Sequence, residues 1–198
     1  NQRFVNLGNP GVRSILQQYL AALGSNYPGL YGIQCDYNFF PLAASNAAPW
    51  SFDSWARGAY QAQYGVDPVT EVNTAATSYP TRWLTWNRNN VTQSLVGFRA
   101  SADGASSSPV FSTVGFSAWN TSTHTSKMID LQSWGTTNAA ELYFVMAYFA
   151  STTSINNDLA TAKSWLPGKR VVAGLANLTS SARPSITDQL NTAKGQGL

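Results

Sequence analysis

The sequence has few cysteines and few charged residues. Its single cysteine, Cys35, excludes a disulfide within the chain and a zinc site built from several thiolates. Charged residues make up 11% of the chain, less than half of the usual share of about a quarter. The 12 Lys and Arg are spread from Arg3 to Lys194 without a cluster, so they form no basic stripe of the kind that binds nucleic acid. No apolar run approaches the roughly 20 residues of a membrane span. We expect no nucleic-acid partner, no membrane span and no metal or other cofactor.

Uncharged polar and aromatic residues are abundant instead. Asn, Ser and Thr fill 56 of the 198 positions, while 43% of the residues are hydrophobic and 13% aromatic. Such a chain has enough apolar surface to fold around a core, so disorder is excluded. Low charge together with many Asn, Ser and Thr favours an extracytoplasmic protein, either secreted or at the cell surface. The length fits one large domain over 1–198 or two small ones.

Helix and strand patterns alternate along the chain. Asn9-Pro10 is typical of a helix start, and apolar residues at three- and four-residue spacing predict a helix that ends at Gly24. Short apolar runs predict four buried strands, and between them lie amphipathic stretches. The predicted strands are Leu30–Asp36, Val110–Phe116, Leu142–Tyr148 and Val171–Leu175, and the further helices are Phe52–Tyr64, Trp83–Ala102, a weaker one at Thr123–Trp134, Ile155–Leu166 and Ile186–Ala193.

This order predicts an α/β fold with a parallel sheet covered by helices. Two architectures compete: a doubly wound open sheet, and part of an eight-stranded (β/α)8 barrel. No phosphate-binding glycine motif follows any strand, which disfavours nucleotide binding. Four strands are too few for a whole barrel of about 250 residues. The chain also starts with a helix and stops where another strand is expected. We therefore expect a partial barrel domain, with a long loop insertion at about 37–80.

Polar side chains that suit a sugar follow the predicted strands. In a parallel α/β sheet, reactive groups gather at the carboxyl ends of the strands. Asp36 ends the first strand and is the candidate catalytic acid or nucleophile. The alternatives for Asp36 are a cap on the next turn or an ion pair with Arg88 or Arg3. Aromatic rings stack on sugar faces, and amides bind hydroxyls. The candidate substrate-binding residues are Tyr37, Asn38, Trp119, Asn120, Tyr148 and Asn177.

A second carboxylate, which glycoside hydrolysis normally needs, is not obvious. Glu141 precedes its strand and so belongs to the opposite edge of the sheet. Asp158 follows a helix start, where a favourable interaction with the helix dipole is the simpler explanation. Asp53, Asp67 and Glu71 lie in the long insertion and could fold over the site. Among the aromatic residues, the helical spacing of Trp83 and Trp86 favours a core role. For Trp50, Trp55, Tyr60 and Tyr64, packing and glycan stacking stay open.

Six segments in series resemble the bacterial glycoside hydrolase-like family 10. That family typically shows segments such as LNPAHPEVR, DGIHFDDYFYP, WRR, SPFG, DYIMPMIYW and IGLA. The counterparts here are NLGNPGVR at 6–13, YGIQCDYNFFP at 31–41, WNRNNV at 86–91, VGFS at 114–117, ELYFVMAY at 141–148 and AGLA at 173–176. Trp134 precedes the fifth of these segments and matches the Trp that precedes the family's fifth segment. The resemblance covers nearly the whole chain and keeps order and spacing.

The resemblance implies strands four to seven of a (β/α)8 barrel, with the other strands outside this chain. It implies action on a bacterial polysaccharide or cell-surface glycan, with the family's strand-four Asp at Asp36 and its strand-six Tyr at Tyr148. Where the family often has a second Asp, this chain has Tyr37.

Three functions therefore stay open. The first is hydrolysis of O-glycosyl bonds. The second is non-catalytic glycan binding or a surface-layer role on a degenerate barrel. The third is a structural subunit whose half-barrel is completed by another chain. The remainder of the barrel is expected to come from the same longer chain or from another chain.

Overall fold

The computed structural model describes residues 5–36, 52–71, 81–116, 128–176 and 184–198. The described residues form four strands and seven helices, in agreement with the expected α/β class. In chain order these are α1 (Pro10–Asn26), β1 (Gly32–Cys35), α2 (Ser54–Tyr64), α3 (Pro68–Glu71), α4 (Thr81–Asp103), β2 (Val110–Phe116), α5 (Leu131–Thr136), β3 (Leu142–Met146), α6 (Thr152–Trp165), β4 (Arg170–Gly174) and α7 (Ile186–Gly195).

The four strands form one parallel sheet in the order β1-β2-β3-β4. Cys35 pairs with Thr113, Thr113 with Tyr143, and Tyr143 with Val171, so these four residues lie in one row across the sheet. Parallel neighbours need a crossover between them, and the intervening helices provide it. The predicted parallel sheet is confirmed, and the bounds of β2 agree with the sequence pattern.

The two faces of the sheet differ. One face contributes Ile33, Phe111, Tyr143 and Val145 to the main core, in which α1, α4, α5, α6 and α7 also take part. Successive strand residues point to opposite faces. The residues that alternate with these four belong to neither hydrophobic cluster of the described chain. Six of them are apolar, Val110, Val114, Leu142, Phe144, Met146 and Val172, and the others include Gly32, Gln34, Ser112, Arg170 and Gly174. Val114 and Ser112 are buried. We call this second surface the open face. Within the described residues, these five helices therefore lie on one side of the sheet.

A second, aromatic cluster lies beside the main core. Phe52 and Trp83 stack at 4.7 Å between ring centroids, and Trp83 and Trp86 at 5.3 Å. Tyr60 meets both indoles edge-on and is fully buried. Trp55 also packs here. The core role predicted for Trp83 and Trp86 is confirmed, and Trp55, Tyr60 and Tyr64 join them in packing.

Two local expectations need correction, and one is confirmed. The helix α1 does not end at Gly24 but continues to Asn26; Gly24 is instead a packing residue, since a Cβ there would lie 2.5 Å from that of Ala105. Within the insertion at about 37–80, α2 confirms the helix predicted at Phe52–Tyr64, and the short helix α3 follows it. Of the helix expected over Thr123–Trp134, the described residues contain α5, which begins at Leu131.

Candidate functional site

Asp36 lies immediately after β1, an edge strand of the sheet, and is exposed to solvent. The preceding strand places Ile33 in the core and Gln34 on the opposite, exposed side. Arg88, one partner considered for Asp36, is held elsewhere: its guanidinium lies 3.2 Å from the carboxylate of Asp130 and donates to the carbonyl of Ile129. Arg3 is outside the described residues. Asp36 therefore lies at the carboxyl end of the first strand, as predicted, and Arg88 is not its partner.

Tyr148 lies just beyond the carboxyl end of β3 and is 46% exposed. Its ring reaches across to β4, where Cε1 would be 3.7 Å from a Cβ added at Gly174. Gly174 alternates with Ala173, which packs against the main core, so this ring contact is on the open face. The structure thus places the predicted aromatic residue at the same edge of the sheet as Asp36.

The other predicted binding residues lie outside the described part of the chain. They are Tyr37, Asn38, Trp119, Asn120 and Asn177. The described residues nearest to these five are Asp36, Phe116 and Ala176. They lie at or just beyond the carboxyl ends of β1, β2 and β4. The assignment of the five residues to the site stays a prediction.

Most of the other acids of the chain have structural roles. Asp53 caps α2 by accepting from the backbone N–H of Ala56 and also accepts from Asn6. Asp67 pairs with Arg57, and this bidentate pair holds the pKa of the Asp67 carboxyl below its usual value. The remaining contacts are Glu71 with Arg82 and with Tyr60, Asp103 with Arg99, Asp130 with Ser133 and Arg88, and Asp188 with Ser185.

Glu141 and Asp158 also have structural positions. Glu141 accepts a 2.8 Å hydrogen bond from the backbone N–H of Phe111 at the amino end of the sheet. This position confirms that it belongs to the edge opposite Asp36. Asp158 is fully buried in the second turn of α6. Neither residue lies next to Asp36, because Glu141 is at the amino end of the sheet and Asp158 is in α6.

Cys35 has no nucleophilic character at neutral pH. It faces the helix-covered side of the sheet, and burial raises the pKa of its thiol to about 11. A thiol is a nucleophile or a metal ligand only as the thiolate. Within the described residues, no three His, Cys, Asp or Glu side chains come together to hold a metal ion. The helices of that same part of the chain include none long and apolar enough to cross a membrane.

Sequence reasoning missed Gly174. A glycine inside a strand often marks a place where another group approaches closely, and Val171-Val172-Ala173-Gly174 carried that signal. The crowding is real, since a Cβ at this position would lie 3.2 Å from the carbonyl oxygen of Val145.

This edge of the sheet carries the exposed carboxylate of Asp36 and the exposed phenol ring of Tyr148. An exposed carboxylate accepts hydrogen bonds from hydroxyl groups, and an exposed phenol ring offers an apolar face. Comparison with protein-family models and with curated proteins finds no match to this chain.

Proposed function

We propose that this chain binds a polysaccharide or cell-surface glycan along the carboxyl edge of its sheet. The observation that carries the proposal is the position of Asp36 and Tyr148. Asp36 directly follows β1, Tyr148 lies two residues beyond β3, and both are exposed at the carboxyl edge of the sheet. Ligands of parallel α/β sheets bind at this edge. Tyr37, Asn38, Trp119, Asn120 and Asn177 are proposed as further contacts.

The proposed scaffold is a sector of a (β/α)8 barrel related to the glycoside hydrolase-like family 10. The six segments of the resemblance support the relationship. The one-sided helix layer and the apolar open face support a barrel sector, because the inner face of a barrel is filled by apolar side chains. The other strands would come from the same longer chain or from another chain. The mass of the protein in its natural sample tests this: a species or complex well above 21.4 kDa is expected, and a monomer of 21.4 kDa would contradict it.

Hydrolysis of the glycan is the second candidate function. It is favoured by the place of Asp36 at the strand end where barrel enzymes hold their reactive groups. A second carboxylate would have to come from outside this chain, since seven of the other eight acids are engaged in caps, backbone contacts or ion pairs and Asp158 is buried in α6. Low charge and abundant Asn, Ser and Thr support a secreted or cell-surface location for either function.

The binding experiment uses the protein on peptidoglycan, cellulose, xylan and chitin, with retention of the protein as the readout. Asp36→Asn should weaken retention on the polysaccharide that binds by about tenfold, because a charge-assisted hydrogen bond from a sugar hydroxyl becomes a weaker neutral one. Asp103→Asn is the matched control, since Asp103 is an exposed acid at the other end of the sheet and should bind as the wild type.

Each outcome separates the candidates. Release of reducing ends that disappears in Asp36→Asn would support hydrolysis, whereas retention without release would support binding alone. Equal loss in both acid variants, or no retention of the wild type on any of the four glycans, would contradict the proposal.

A further inference from the structure

The five helices of the main core form a row with two ends. The helix α1 packs against α4, α4 against α5, α5 against α6, and α6 against α7. The first and last helices of this row are therefore α1 and α7, just as β1 and β4 are the two edge strands of the sheet. A helix at the end of such a row has one flank that faces no other helix of the row.

The outer flank of α1 is apolar. Ile15 and Tyr19 are four residues apart, so they lie on one side of the helix, and they are 68% and 61% exposed. Gln17 lies roughly 200° around the helix from Ile15, and its side chain is against Gly97 of α4. The side that carries Ile15 and Tyr19 therefore faces away from α4. We call this pair the α1 stripe.

The outer flank of α7 is apolar at its start and ends on a lysine. Ile186, Leu190 and Lys194 follow one another at four-residue spacing, and all three are exposed. Gln196, just after the helix, faces α6, because its Nε2 donates to Oδ1 of Asn156 at 2.6 Å. That side lies roughly 120° around the helix from Leu190, so the three exposed residues face away from α6. We call these three residues the α7 stripe.

The two stripes match in position and in chemistry. Both helices run from the carboxyl end of the sheet towards its amino end, because α1 leads into β1 and α7 follows β4. When the starts of the two helices are level, Leu190 of one copy lies beside Ile15 of another, and both are apolar. Lys194 then lies beside Tyr19, which gives a cation next to a phenol ring. Lys194 takes part in none of the ion pairs between described residues.

The same division between the two ends continues at the amino end of the sheet. Tyr31, just before β1, is 80% exposed, and Arg170, the first residue of β4, is also exposed. One end of the molecule thus presents phenol rings, and the other presents cations. This complementarity favours contact between unlike ends of two copies. Two α7 stripes would instead bring Lys194 against another lysine or an apolar residue.

We propose that copies of this chain associate head to tail, with the α7 stripe of one copy packed on the α1 stripe of the next. A contact between unlike surfaces is heterologous, so it either closes into a ring or continues as a filament. Each stripe has only two or three residues, so the contact is weak and reversible. The inference does not rest on glycan binding, because both stripes lie on helices and not at the carboxyl edge of the sheet.

Complementary variants test the head-to-tail contact by sedimentation velocity. Ile15→Glu blocks the α1 stripe and Leu190→Glu blocks the α7 stripe, and both positions are exposed, so the fold is retained. The wild type should sediment as dimers and larger species at about 100 μM. Each variant alone should be a monomer, because every contact needs both stripes. An equimolar mixture of the two variants should form a dimer, since one retains the α7 stripe and the other the α1 stripe.

Matched controls place the same charge on other sides of the two helices. Gln18→Glu on α1 and Asn191→Glu on α7 are exposed changes and should associate as the wild type. Lys194→Ala should weaken association about threefold, whereas Lys194→Arg keeps the cation and should retain it. Circular dichroism verifies that each variant folds.

The outcomes are separate from those of the glycan experiment, which measures retention. A wild type that stays monomeric at this concentration would overturn the inference. Association that persists in Leu190→Glu alone would overturn it as well, because it would indicate contact between two like ends. A mixture of the two blocked variants that stays monomeric, while the wild type associates, would likewise contradict the head-to-tail contact.

Discussion

The main core and the aromatic cluster each contain a fully buried tyrosine, and the two hydroxyl groups are satisfied in different ways. Tyr143 in the main core donates to the carbonyl of Trp134 and accepts from the N–H of Ala140. Tyr60 in the aromatic cluster donates to Glu71 and accepts from Arg82. The partners of Tyr143 are buried backbone groups, whereas those of Tyr60 are charged side chains partly open to water. The main core is therefore closed to solvent, and the aromatic cluster is anchored at its surface.

The helix α4 joins the two regions. Its first turns supply Trp83 and Trp86 to the aromatic cluster, and its later turns supply Val91, Leu95 and Phe98 to the main core. Substitutions along one helix and at matched tyrosines can thus compare the two regions directly.

The largest effect is expected in the main core, at Leu95. Leu95 is fully buried, so Leu95→Ala should lower the free energy of unfolding by about 3 kcal/mol through lost burial and a cavity. Urea unfolding followed by circular dichroism measures it. Gln93→Ala, an exposed change on the same helix, should cost close to nothing. A cost below that of Tyr60→Phe would show that the main core is not the more tightly packed region.

A smaller effect is expected for Tyr143→Phe. The change leaves the N–H of Ala140, which is 1% exposed, without its acceptor, so we expect a loss of about 2 kcal/mol. The same urea experiment measures the loss. If Tyr143→Phe left the free energy of unfolding unchanged, water would have to reach this hydroxyl. The main core would then be no more closed to solvent than the aromatic cluster.

The smallest effect is expected for Tyr60→Phe, because Glu71 and Arg82 keep each other and water as partners. We expect a loss of about 1 kcal/mol at neutral pH. Burial, and after it the hydrogen bond to Glu71, raises the pKa of Tyr60 from 10.0 to about 12. A raised pKa in the folded state stabilises the fold below pH 10, and that stabilisation is lost as the pH rises to about 12.

The pH dependence of stability distinguishes Tyr60→Phe from the other variants. The stability of the wild type should fall more steeply between pH 10 and 12 than that of the variant, as measured by urea unfolding across this range. Parallel curves for the two proteins would contradict the burial of this hydroxyl.

Local patterns predicted the elements of the fold but not the contacts between distant segments. The spacing from Trp83 to Ala102 identified α4, and the β-branched and aromatic run Val110–Phe116 identified β2. The burial of Asp158 and the packing of Gly24 on Ala105 depend on neighbours remote in sequence, so no local pattern shows them. Asp36 and Tyr148 could be placed at one edge because parallel strands align their ends.

The order of the strands also has a consequence for how the chain folds. Neighbours in the sheet are neighbours in sequence order, but the loops that join them differ: Leu142 pairs with Arg170 and Ser112 with Leu142, about 30 positions apart in each case, whereas Gly32 pairs with Val110, 78 positions later. Closing a longer loop costs more entropy before its contacts form, so pairing slows as sequence separation grows. We therefore expect β2, β3 and β4 to assemble first and β1, which carries Asp36, to dock last. The proposed binding edge would be completed in the final step of folding.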